Sequence, residues 1–195
     1  MVRKHDRSFA KAESGVAVAL REAGGDAQAL VGAVADVIAR DLRESGRTGA
    51  ALLSAISALS FGVAHAAVAA SGDMRFVAEG FILGVMLAGE AQEPQLLAVI
   101  AHAAGTFIKH AAEAGGDADS STRGLVEGAV SWAGELRLDP GEAAYAAGQG
   151  AVDAADDVDA RLASKVRRAL EQPVSGIHIL LREPIEAASD GEAAA

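Results

Sequence analysis

Residues 71–80, Ser71-Gly72-Asp73-Met74-Arg75-Phe76-Val77-Ala78-Glu79-Gly80, carry a Gly-Asp turn, an apolar pair and a glycine in fixed order. The same order occurs earlier as Gly24-Gly25-Asp26, Leu30-Val31 and Gly32, and later as Gly115-Gly116-Asp117, Leu125-Val126 and Gly128. The three glycines Gly32, Gly80 and Gly128 are 48 residues apart. The helices entering these turns also match: His65-Ala66-Ala67 aligns with His110-Ala111-Ala112 and, more loosely, with Asp153-Ala154-Ala155. A period of this size marks stacked helical hairpins, each unable to bury its apolar face alone. The signature residues of tetratricopeptide and ankyrin arrays are missing.

Composition supports helices throughout. Of 195 residues, 47 are Ala, the best helix former, and only seven are Phe, Trp or Tyr. A core of Ala, Gly, Leu and Val has little volume per side chain. The helices must therefore approach closely, through small-residue contacts such as Gly80-x-x-x-Gly84 and Gly124-x-x-x-Gly128.

Helix ends can be read from caps. Helix 1 is expected over about residues 8–23 and ends at Gly24-Gly25. Asp26 caps helix 2, to about Glu44, and helix 3 covers about Gly49 to Ala70. Helix 4 follows Gly72-Asp73 to about Gly89, and Glu93-Pro94 opens helix 5. Ser120-Ser121-Thr122 supplies a cap for helix 6, to about Arg137. Asp139-Pro140-Gly141-Glu142 opens helix 7, which is read as continuous to about Gln172.

The expected fold is therefore all-α, with about seven helices as stacked antiparallel hairpins in three repeats of about 45–48 residues. Helices 2 and 3, 4 and 5, and 6 and 7 form the hairpins, in a short solenoid or closed bundle, and helix 1 covers the open end. Residues 1–172 form this domain, and 173–195 an extended segment and tail. Val174 to Leu181 is β-branched and follows a proline, so it reads as strand-like; the acidic end beyond Pro184 is expected to be disordered.

Charge excludes some functions. A net charge of −10, with 17 basic residues scattered among 27 acidic ones, argues against nucleic acid as a partner. No Cys is present, so thiolate chemistry and disulfides are excluded. Met1-Val2-Arg3-Lys4 lacks a following apolar core for a signal peptide, which places the protein in the cytoplasm by expectation.

Three groups of residues invite chemistry. His65, His102, His110, Glu79 and Glu127 could in principle face inward and bind metal, but ferritin-like sites use Glu-x-x-His, which is absent. Arg75 and Glu79, and Arg123 and Glu127, are four apart and can pair within a helix instead. Asp153, Asp156, Asp157 and Asp159, followed by Arg161, Lys165, Arg167 and Arg168, read as a solvated face of helix 7 with an Asp157–Arg161 pair. Ala50 to Ala70 is 21 residues without formal charge, long enough to span a membrane, yet a helix buried on all sides explains it better.

The tail is the remaining candidate. A lone strand in a helical protein cannot satisfy its backbone polar groups internally, so Ile177, His178, Ile179 and Leu181 are the expected partner-binding residues. The function expected is a non-enzymatic helical-repeat protein that binds a protein partner or itself, as a homodimer, with no cofactor and no metal. The alternatives are a membrane-associated or apolar-ligand-binding helical protein and, third, a metal-dependent enzyme in a helical bundle.

Overall fold

A computed structural model describes residues 3–89 and 93–181. It is all-helical. Among the described residues there are eight helices: α1 (Arg3–Glu22), α2 (Ala27–Ser45), α3 (Gly49–Ala69), α4 (Met74–Ala88), α5 (Glu93–Ala114), α6 (Ala118–Ala133), α7 (Pro140–Asp156) and α8 (Ala160–Ala169). Met1-Val2 and the acidic end expected to be disordered beyond Pro184 lie outside the described residues.

The caps follow the sequence closely because each is a local hydrogen bond. Asp26, Asp73 and Asp139 all sit at N-caps in extended conformation and accept from backbone N–H groups two or three residues on. Gly46 ends α2 in the left-handed conformation, at φ 57°, where a side chain would be strained. Several boundaries differ from expectation: α1 starts at Arg3 rather than near residue 8, α6 ends at Ala133 rather than near Arg137, and two further differences have a clear cause. Asp117, rather than the serines, caps α6, so Ser121 and Thr122 fall inside the helix and donate to the carbonyls of Asp117 and Ala118. The expected seventh helix is two helices: Asp159 adopts an extended backbone and its Oδ1 accepts from Leu162 N at 2.7 Å, starting α8 afresh. The Asp-rich run is thus a helix junction, not one continuous face, and Asp157 and Arg161 belong to different helices.

The helices stack in two layers, α1, α3, α5 and α7 in one and α2, α4 and α6 in the other, with α8 closing the end against α6 and α7. The densest contacts run within a layer, between helices two apart in the chain, rather than between the two arms of each hairpin. Between the layers lies one core of Ile38, Ile56, Leu59, Ile82, Met86, Ile100, Ile108 and Leu125. Phe81 of α4 and Phe107 of α5 meet across it at 5.0 Å between ring centroids.

Glycines set the spacing within each layer, as the small-residue composition requires. A Cβ on Gly80 would lie 2.6 Å from the Val31 carbonyl oxygen, and one on Gly128 would lie 2.7 Å from that of Glu79. Both members of the second contact stand 48 residues beyond those of the first. The other layer keeps the same offset: the His102 ring meets the Leu53 carbonyl, and Gly150 presses on the backbone of Ala101. Gly32, the first of the series, has nothing within 4 Å because no described helix precedes α2 in its layer.

α3 is not buried on all sides. Half of its apolar window is buried, against α1, α5 and the facing layer, while Ser54 is exposed and Ala58, Phe61 and His65 are half-buried. A helix inside one of two layers has neighbours on three sides only, which is why the expectation of complete enclosure fails.

Candidate functional site

The tail residues are placed first by their own turn. Ser175 and Gly176 both take positive φ, 50° and 79°, and reverse the chain over two residues. Val174 N donates to Ile177 O at 3.0 Å, and Ile177 N donates back to Val174 O at 2.9 Å. The backbone there is satisfied by the chain itself. Beyond the turn the side chains alternate. Ile177, Ile179 and Leu181 are half-buried against the core, whereas His178 is exposed and Leu180 is 84% exposed. Ile179 lies over Gly148 of α7, whose missing Cβ leaves room for it beside Leu170. Of the four expected partner-binding residues, only His178 points away from the chain's own helices.

The histidines separate into two places. His102 Nε2 lies 3.0 Å from Ser57 Oγ and 3.1 Å from Leu53 O, tying α5 to α3. His65 and His110 instead flank Phe61, with ring centroids at 4.2 and 5.2 Å from it. His110 Nδ1 is 2.8 Å from Glu113 Oε2, while His65 Nε2 is buried with no hydrogen-bond partner among the described residues.

The two glutamates do meet, but through a different arginine geometry from the one expected. Arg75 does not pair within α4; its guanidinium crosses to Glu127 of α6, with Nε and Nη2 each 2.6 Å from a carboxylate oxygen. Arg123 likewise turns away from Glu127 and donates to the Ala169 carbonyl at 3.3 Å. Glu79 is left beside this pair. Burial, and then the neighbouring Glu127 charge, push its carboxyl above the usual range, against the opposing pull of Arg75. Among the described residues no three His, Asp or Glu side chains converge as metal ligands.

The acidic run at the α7–α8 junction is used locally. Gln149 donates to Asp153, Asp159 caps α8, and Asp156 pairs with Arg167 at 2.6 Å. The junction also opens a cleft of about 460 Å³ that the sequence reading missed. It lies between the end of α5 and the start of α8, lined by Lys109, Glu113, Val158, Asp159, Arg161 and Lys165 among others. Lys109 and Lys165 are far apart in the chain, and a continuous helix 7 would have concealed their convergence. The legible signal was the Asp159 cap, three residues before Leu162.

No known family model and no curated protein matches this sequence.

Proposed function

We propose that this chain is a non-enzymatic helical-repeat protein that associates with another protein or with a second copy of itself. The observation that carries the reading is the in-register stacking of alternate helices. Each layer thereby offers a continuous outer surface assembled from successive units, as helical arrays do when they recognise partners. On the α3–α5–α7 layer that surface includes the half-buried Phe61, His65, Thr106 and His110. The tail supports the reading less directly, through exposed His178 and Leu180.

The membrane-associated reading draws on α3, the Gly-x-x-x-Gly spacings and the apolar fraction of about half, and the open side of α3 mixes Ser54 and His65 with Ala58, Phe61 and Val68. The metal-enzyme reading has less support still, since Ser57 and Leu53 engage His102 and Arg75 occupies both oxygens of Glu127.

Two measurements test the association reading together. Sedimentation equilibrium of the full chain reports self-association, and affinity capture from the native host followed by mass spectrometry reports other partners. A monomer that captures nothing beyond a control of equal charge counts against it. Flotation with liposomes would transfer support to the membrane reading.

A further inference from the structure

The cleft at the α7–α8 junction gathers cations that have no counter-ion among the described residues. Lys109 comes from the last turns of α5, and Arg161 and Lys165 from the first turns of α8. None of the three has a carboxylate within 4.0 Å among the described residues. The two acids lining the same cleft are engaged elsewhere. Glu113 lies 2.8 Å from His110 Nδ1, and Asp159 caps α8 through Leu162 N. Lys109 is half-buried as a residue, its stem packed into the cleft wall.

With Glu113 and Asp159 counted, the lining still carries one positive charge in excess (three cations, two acids), in a chain of net charge −10. Between the cations the lining is apolar, formed by Ala112, Leu162 and Val158, the last 42% exposed. Three unpaired cations around an apolar strip complement carboxylates that flank an apolar side chain. A long polyanion suits the place poorly, because its flanks would run over the surrounding acidic surface.

We propose that this cleft binds an acidic peptide segment of a protein partner, with its carboxylates on Lys109, Arg161 and Lys165 and an apolar side chain over Val158. The assignment rests on the association reading and names the chemistry of the partner.

The test is fluorescence anisotropy at low salt with a labelled eight-residue peptide of alternating Glu and Leu. Saturable binding is expected, weakened at least about tenfold by Arg161→Glu with Lys165→Glu. The control pair Arg40→Glu with Arg137→Glu, exposed cations placed elsewhere, should leave it unchanged. Both cleft side chains are exposed, so circular dichroism should show an unaltered fold; Arg161→Gln with Lys165→Gln gives the same reading with a milder change. Val158→Ser should cost a further few-fold. Equal loss in the control pair overturns the proposal, and so does tighter binding of an oligonucleotide than of the peptide. A chain ending at Leu181 that binds the peptide more tightly than the full chain would assign the cleft to the protein's own Glu183, Glu186, Asp190 and Glu192, and overturn the partner. If a captured partner survives the charge reversal, the cleft assignment falls while the association reading stands.

Discussion

The Arg75 guanidinium grips Glu127 through two hydrogen bonds of 2.6 Å, bolting α4 to α6 across 52 residues of chain. The Glu127 side chain is 11% exposed and Arg75 46%, so the carboxylate depends on the arginine far more than the reverse. Arg75→Met should therefore destabilise the fold by about 2–3 kcal/mol, less than breaking a fully buried pair, because half of the arginine is in water. Adding Glu127→Gln should recover most of that loss, since a neutral amide tolerates the site better than an unpaired charge. Urea denaturation of the single and double variants checks both expectations.

Gly32, Gly80 and Gly128 stand in one register, yet alanine should act with opposite sign along the series. A Cβ at Gly80 or Gly128 meets a backbone carbonyl at 2.6 or 2.7 Å, which must push two helices apart. Each of these substitutions should cost about 1–3 kcal/mol. Gly32→Ala enters open space in a helix interior and should gain about 1 kcal/mol from helix propensity. Midpoints of thermal unfolding for the three variants decide the matter; a uniform effect would contradict the layer packing.

Glu79 supplies a pH dependence. Its carboxyl is raised in the folded state, so the folded chain holds this proton more tightly than the unfolded one. Its contribution to stability is most favourable at acid pH and declines as pH rises from the ordinary carboxylate value of 4.5 through the raised one. Glu79→Gln should then stabilise the protein near neutrality and lose that advantage below the ordinary value. The gain should stay under about 1 kcal/mol, as solvent screens a half-exposed group. Stability of both proteins measured from acid to neutral pH tests the sign.

The tail also makes a structural prediction. A chain ending at Leu181 keeps Val174, Ile177 and Ile179 on the core, whereas one ending at Gln172 uncovers Gly148 and Leu170. Val174 is fully buried, and its loss alone is worth about 1.5–3 kcal/mol. The shorter chain should unfold at lower temperature than the longer. Equal melting would mean that the segment does not cover the core in solution.

Loss of the Asp159 side chain should be felt only locally. Asp159→Ala removes the acceptor for Leu162 N and should cost about 1 kcal/mol. Hydrogen exchange should then quicken in the first turn of α8 and remain unchanged in α5 and α6.

The helical class, the turns at Gly24-Gly25, Gly72 and Gly115-Gly116, and the caps Asp26, Asp73 and Asp139 were all legible in the chain, for a physical reason. A cap joins atoms two or three residues apart, and Ala content biases each segment independently of its neighbours. Where local signals compete, the reading fails. The Asp153–Asp159 run looks helical throughout, and only the extended backbone of Asp159 separates α7 from α8. Contacts between distant residues were not legible. Arg75 has an acid four residues away in Glu79, but selects Glu127 because packing Gly124 and Gly128 against α4 brings that carboxylate within reach. The same holds for the tail, whose β-branched residues suggested a partner's sheet, and whose turn at Ser175-Gly176 folds them back over Gly148. Propensity and capping act over a few residues and specify the helices. Which faces meet, which charges are left unpaired and where a cleft opens depend on how all eight helices share one core, and only the folded chain settles that.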